Sequence, residues 1–265
     1  MDNIQIIKKE EFEYLQFKRL LEFEELVHAF SLRTYDTGFR RREPNNIEKN
    51  LEKVYKEFNI SAEQILQPEQ NHTDNILEFE NKEISDQRIK DEIIDGIIID
   101  KPKFATILTA ADCIPMLFYD PRNKVIANIH SGWRGTVKRI GIKAVDIMVK
   151  KYGSKPENII CCTFPCIHKD DFEVNDDVMN LYKEEFKEEC KKYNIIEKTK
   201  DYNEKGREYK IDNIELYRIL LKQVGLLDKN IIDSGICTVC NMDEFYSKRG
   251  DKELINTNGL LAMLK

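Results

Sequence analysis

Histidine is scarce in this chain, with four among 265 residues, His28, His72, His130 and His168, and there is a single tryptophan. Chemistry that needs many imidazoles is therefore out of reach. No apolar run approaches the ~20 residues of a bilayer-spanning helix, and Met1-Asp2-Asn3-Ile4-Gln5 lacks the basic-then-apolar pattern of a secretion signal. The expectation is a soluble, cytoplasmic chain with no membrane partner. Neither sign of charge dominates: 42 Lys and Arg face 48 Asp and Glu, a net charge of −6. The two signs interleave, as in Lys183-Glu184-Glu185-Phe186-Lys187-Glu188-Glu189, which leaves no basic face for a phosphate backbone, so nucleic acid is not an expected partner. Also missing are Gly-x-Gly-x-x-Gly, the Gly-Lys-Ser/Thr phosphate loop, Gly-x-Ser-x-Gly and His-Glu-x-x-His, which removes common nucleotide, hydrolase and metalloprotease signatures. The seven cysteines are odd in number and spread over a long chain. They read as reduced thiols, most of them packing residues.

No Pro-, Gly- or Ser-rich linker and no fixed-period repeat divides the sequence, so a single domain over residues 1–265 is expected. Gly96-Ile97-Ile98-Ile99, Ala105-Thr106-Ile107-Leu108, Met116-Leu117-Phe118-Tyr119 and Val125-Ile126-Ala127-Asn128-Ile129 read as buried strands, and Ile231 to Ile236 as another. Helical spacing links Ile47, Leu51, Val54 and Phe58. It also links Val137, Ile140, Ala144 and Ile147, a helix expected to stop near Gly153 with Pro156 beyond. Val178, Leu181, Tyr182 and Phe186 form a stripe behind Asn175; Ile214, Tyr217, Leu221 and Val224 form one behind Asp212 and before Gly225. The class is α/β or α+β, a mixed β-sheet core flanked by helices.

Three stretches put polar, ligand-type residues at the edges of apolar strands: Gln70-Asn71-His72, Ala111-Asp112-Cys113 and His130-Ser131-Gly132-Trp133-Arg134-Gly135. A thiolate and two neutral imidazoles from separate strand ends suit zinc and leave a fourth position for water or substrate. The competing reading is three satisfied strand-end core residues, because the separations match no compact zinc-finger spacing. The last stretch favours a site. Its two glycines allow close backbone approach, and Arg134 offers a planar fork for phosphate or carboxylate.

These stretches, in this order, resemble the signatures of the YfiH/laccase-domain family, once called multicopper polyphenol oxidases. His28-Ala29-Phe30-Ser31-Leu32-Arg33, Phe164-Pro165-Cys166-Ile167, Phe172-Glu173-Val174, Cys237-Thr238 and Phe245-Tyr246-Ser247-Lys248-Arg249 extend the resemblance along nearly the whole chain. It implies a YfiH-like α/β domain with a zinc site at His72, Cys113 and His130. It also implies purine nucleoside phosphorylase activity, with adenosine deamination and methylthioadenosine cleavage beside it. The substrates are then a purine nucleoside and phosphate, bound by Arg33, Arg134 and Trp133, with Asp112 and Arg134 as the catalytic residues. Asp112 either manages a proton near the purine or orients its ligand neighbour; Trp133 either stacks on the purine or walls the metal pocket. The chain departs from the family at Tyr35-Asp36, at Phe164 and at Leu260, read here as changes to the pocket rim. The four histidines exclude a blue-copper centre joined to a trinuclear cluster, since such sites are largely nitrogen-ligated. One His2Cys copper is conceivable, but zinc fits the same ligands without redox partners. Two other enzyme classes compete: a peptidoglycan-precursor hydrolase using the Cys/His pair as nucleophile and base, and a single-metal oxidoreductase. Cys237-Thr238-Val239-Cys240 reads as a pair of strand-end core cysteines, and His28 and His168 as residues that satisfy local hydrogen bonds.

Overall fold

The central strands of this chain are buried on both faces because two sheets stack and helices cover their outer sides. The computed structural model describes residues 2–10, 12–33, 44–60, 65–79, 92–199, 208–253 and 256–265, with 44–48 described by backbone alone. The first sheet contains β1 (Ile4–Ile7), β2 (Tyr14–Phe17), β3 (Leu26–Ser31), β4 (Ile65–Leu66), β7 (Ala105–Ala110) and β15 (Asn258–Leu264), in the order β1-β2-β3-β15-β7-β4. The second contains β5 (Ile76–Phe79), β6 (Gly96–Ile99), β8 (Ile114–Asp120), β9 (Val125–Ser131), β10 (Ile160–Thr163) and β14 (Ile231–Asp233), in the order β14-β10-β8-β9-β6-β5. Both are mixed: β4 runs parallel to β7, and β5 parallel to β6, within otherwise largely antiparallel ladders. The expected mixed β-sheet core is thus built from two stacked sheets, and runs such as Ile114–Asp120, buried at every residue, are what a strand between two apolar layers requires.

Side-chain alternation shows the layers. In β15, Leu260, Ala262 and Leu264 turn inward to the cluster holding Leu117, Tyr119, Ile126 and Cys162 of the second sheet. Leu261 and Met263 turn outward, toward Val54 and Ile60. Val54 lies on α1 (Pro44–Phe58), which covers that side. Ile47 of the expected stripe belongs to the residues described by backbone alone. On the far side, Met116 and Phe118 of β8 meet Ala144 and Met148 of α3 (Ile140–Tyr152) and Tyr217 and Leu221 of α6 (Asn213–Gln223). Asn128 bridges the two sheets, its Nδ2 donating to Thr106 Oγ1 and to the Leu260 carbonyl at 3.1 and 2.9 Å.

The helix expected from Val137 onward is two helices. Trp133–Val137 forms a short α2, and Arg139, at φ 58°, breaks the chain before α3 begins. The stop at Gly153 is as expected, in the left-handed conformation at φ 69° that glycine adopts without steric cost. Asp212 caps α6 by accepting the Glu215 N–H at 3.0 Å. In α4 (Asp176–Glu185), Asn175 sits at the cap position without a side-chain hydrogen bond, and Leu181 of the expected stripe is exposed while Met179 and Tyr182 are buried. After α4 come α5 (Lys187–Lys192) and a three-stranded sheet of β11 (Glu173–Val174), β12 (Ile196–Lys198) and β13 (Tyr209–Ile211).

The two described departures from the family pattern are core positions rather than a pocket rim. Phe164 is fully buried, edge-on to Phe17 at 4.9 Å and tilted against Phe30 at 5.6 Å. Leu260 faces the same cluster from β15. Tyr35-Asp36 lies outside the described residues. Among the cysteines, Cys161, Cys162, Cys166 and Cys237 are buried as expected, but Cys190 is half-buried and Cys240 exposed. Among the described residues, no helix is long and apolar enough to cross a membrane.

Candidate metal centre

Strand register brings the three stretches to one end of the second sheet. Ile114 pairs with Ser131 and Pro115 with His130, so Cys113, one residue before β8, arrives beside the end of β9. Gly96 pairs with Ile129, which puts Asp95 next to His130, and Ile76 pairs with Gly96, so the chain entering β5 carries His72 to the same edge. Ala111-Asp112-Cys113 is the crossing from β7 of the first sheet to β8 of the second. The ligand atoms of His72, Cys113 and His130 lie within 4.8 Å of one another, and the two imidazole rings meet at 5.2 Å between centroids. His130 is buried, Cys113 is half-buried, and His72 reaches solvent.

Asp95, which sequence reasoning missed, organises the trio. It is fully buried, and its Oδ1 meets His130 Nδ1 at 2.7 Å and accepts the His72 N–H at 3.1 Å. Its Oδ2 accepts the Thr73 N–H and hydroxyl, both at 2.6 Å, and the Asn71 N–H at 3.3 Å. One carboxylate therefore holds the His72 loop and commits His130 Nδ1, leaving Nε2 for a ligand. Burial would raise the Asp95 carboxyl, but His130 and Thr73 bring it down to about 2. The available signal was an acid placed just before a run of buried isoleucines, since a buried carboxylate must find donors. Gln70 anchors the other side of the loop. Its Oε1 accepts the Thr109 N–H at 2.8 Å, and its Nε2 donates to the Thr109 carbonyl at 2.9 Å.

The electrostatics match a ligand set. Burial alone would push the Cys113 thiol up, yet the His130 and His72 imidazoles beside it hold it below the usual thiol range. Burial would likewise lower His130, and Cys113 and Asp95 raise it instead. A thiolate beside an imidazolium whose proton a cation can replace is a donor set that fits a divalent metal with three protein ligands. Gly132 makes the packing possible. A Cβ there would overlap the His72 ring and come within 3.2 Å of Cys113 Sγ, and one at Gly135 would lie 3.2 Å from the Thr73 carbonyl.

The remaining expected site residues divide into two places. Arg134 is exposed at the start of α2, its guanidinium 4.2 Å from the Trp133 ring centroid, and no carboxylate pairs with it among the described residues. Trp133, half-buried, leans on the cluster around Tyr182 and Leu216. Arg33 is elsewhere: it lines an open cavity of about 760 Å³ with Met242, Asp243, Arg249 and Lys252, whose lining includes neither Arg134 nor the trio. Arg33 donates to the Met242 carbonyl and stacks on Tyr246. Asp112 joins the two regions. Its backbone is left-handed at φ 83°, its Oδ1 accepts the Thr238 hydroxyl at 2.7 Å, and its Oδ2 accepts the Arg249 N–H at 2.6 Å. His28 accepts the Phe17 N–H at Nε2 as expected, but its Nδ1 and His168 Nε2 are both buried without a partner among the described residues.

Fold and site together define a layered α/β protein with two histidines and a cysteine, a group that could hold a metal ion, clustered at one sheet end. The chain belongs to the family described as Multi-copper polyphenol oxidoreductase laccase, which it matches over residues 29–264. It is 28% identical over 214 residues to purine nucleoside phosphorylase YlmD of Bacillus subtilis, covering 78% of this chain and 73% of the relative. It is 25% identical over 197 residues to adenosine deaminase RL5 from an unknown prokaryotic organism, covering 73% and 72%. The crystal structure of the hypothetical protein YfiH from Bacillus licheniformis superposes over all of both chains with a TM-score of 0.85 at 21% identity.

Proposed function

We propose that this chain is a cytoplasmic purine nucleoside phosphorylase that also deaminates adenosine and cleaves methylthioadenosine, with one zinc ion held by His72, Cys113 and His130. The observation that carries the reading is the convergence of these three ligand atoms within 4.8 Å, with His130 four residues before an exposed Arg134 that no carboxylate pairs with among the described residues. The relatives' names supply the substrate class. Zinc is favoured over copper because the His2Cys set suits it without a redox partner, and when bound it supplies a Lewis-acidic centre that acidifies water.

The chain's own residues do the rest. Asp95 keeps His130 in one tautomer and orientation. Arg134, braced by the Trp133 ring, presents its planar fork to phosphate, and Trp133 supplies an apolar wall. Arg33 contributes from the cavity it shares with Arg249 and Lys252, as a second anion contact at the end of the substrate away from Arg134. Asp112 has both oxygens engaged by Thr238 and Arg249, so in this reading it is a positioning residue for Cys113. In phosphorolysis a phosphate oxygen bonds to the anomeric carbon as the glycosidic C–N bond breaks, giving free base and ribose 1-phosphate. In deamination water replaces the purine amino group, giving inosine and ammonia.

Incubating the purified protein with adenosine, with and without phosphate, tests this. Adenine that appears only with phosphate supports phosphorolysis, and inosine formed without phosphate supports the deaminase branch. No conversion of any purine nucleoside by zinc-loaded protein would overturn the proposal.

A further inference from the structure

Outside the His2Cys centre, a second set of ligand-type atoms converges where the sequence suggested only packing. Cys237 and Cys240 are separated by two residues in a C-x-x-C turn, a spacing that lets both thiols of one turn reach one ion. Both point at the same carboxylate oxygen: Cys237 and Cys240 Sγ donate to Asp171 Oδ2 at 3.1 and 3.2 Å. The three ligand atoms lie within 4.8 Å of one another. Asp171 comes from the turn before β11, far away in sequence, so the fold and not the motif assembles the set.

The surroundings are built for it. Cys237 is buried, Asp171 half-buried and Cys240 exposed, which grades the cluster from core to solvent on one side. The His168 N–H points at Cys237 Sγ at 3.5 Å, which fixes the orientation of that side chain. The turn is pinned by Asn241, which donates to the Cys237 carbonyl at 2.8 Å, and by the Thr238 N–H on the Cys166 carbonyl at 3.0 Å. Arg249 donates to the Asp171 carbonyl at 2.5 Å.

We propose that Cys237, Cys240 and Asp171 form a second metal site, for a thiophilic divalent cation such as zinc, with a water completing four-coordination on the exposed side. Binding forms two M–S bonds and one M–O bond and releases the two thiol protons to solvent. Because Thr238, inside this turn, holds Asp112 beside Cys113, an ion here fastens the segment that positions the first centre.

The test uses full-length protein carrying Cys113→Ser, which removes the only thiol of the first centre, stripped with a chelator and titrated with cadmium. The expected result is one equivalent bound with an ultraviolet thiolate-to-cadmium band. Adding Cys240→Ser should remove the band. Asp171→Asn should weaken binding about tenfold or more, the scale on which even outer-shell partners act, and Cys190→Ser should leave it unchanged. Zinc should also slow alkylation of Cys240 but not of Cys190 in unsubstituted protein, read by mass spectrometry. The proposal is overturned by absence of a thiolate band in the Cys113→Ser protein, by its persistence after Cys240→Ser, or by zinc-independent alkylation of Cys240.

Discussion

Replacing Asp95 by asparagine probes the most connected group of the His2Cys centre with almost no change in shape. The two oxygens serve different partners: Oδ1 meets His130 Nδ1 and the His72 N–H, and Oδ2 meets the Thr73 N–H and hydroxyl and the Asn71 N–H. An amide supplies one oxygen and one NH2. Whichever way it turns, a donor faces donors, and the negative charge that offsets His130 is gone. Outer-shell substitutions of this kind cost about 10–100-fold in metal affinity, or about 1.4–2.8 kcal/mol at about 1.4 kcal/mol per decade. A buried donor left unpaired costs about 1–3 kcal/mol of folding stability as well. Competition against a chromophoric chelator reads the first quantity, and urea unfolding in excess chelator reads the second. Wild-type zinc affinity in Asp95→Asn would refute the claim that this carboxylate orients the ligands, even if stability had fallen, because the two measurements separate holding the loop from holding the imidazole.

Three further outcomes follow from the same geometry. Gly132→Ala should sharply weaken zinc binding in the chelator competition, since the new methyl overlaps the His72 ring and relieving such overpacking costs about 1–3 kcal/mol. Arg134→Ala should raise the phosphate concentration needed for half-maximal phosphorolysis by about tenfold or more, the scale of one charge-assisted hydrogen bond at about 1.5–3 kcal/mol, with adenosine saturation less affected; steady-state kinetics in both substrates reads it. His28 should make the fold acid-sensitive. Burial lowers it to about 3, against about 6.5 in the unfolded chain. Its neutral form is fully accommodated above about pH 6.5. Below that, the unfolded chain takes up a proton that the folded one refuses until about pH 3, so stability falls by about 1.4 kcal/mol per unit. Urea unfolding at about pH 6 and about pH 5 should show a shallower loss in His28→Gln than in wild type; equal slopes would contradict it.

Much of the second sheet was legible because its strands are continuous apolar runs bounded by polar residues, a pattern that survives without knowing which strands pair. The helix stop at Gly153 and the cap at Asp212 were legible for a similarly local reason: each depends on the backbone within a few residues. The break at Arg139 was not, because a left-handed arginine has no signal in the apolar spacing of Val137, Ile140 and Ala144, which fits one continuous helix. Nor was the second layer. Leu260 and Phe164 looked like changes in a pocket because a comparison of motifs cannot show that β15 lies between β3 and β7 with Leu260 facing the other sheet.

The two candidate metal sites divide along the same line. His72, Cys113 and His130 are conspicuous because each sits in a polar break between apolar runs, and their convergence needs only that those breaks fall at one end of a sheet. Asp95 is bound to two of those three stretches, the His72 loop and His130, yet looks like an ordinary turn residue before Gly96, since what gives it meaning is the pairing of β6 with β9. The C-x-x-C turn shows the converse. Its spacing was visible, but without a second pair it supported only a packing role, and the third ligand, Asp171, enters from a turn on the other side of α4 to α6 in the chain. A motif therefore becomes a candidate site here when the fold brings it a partner that the sequence keeps distant, and the cadmium titration measures whether that partner, and not the motif alone, makes the difference.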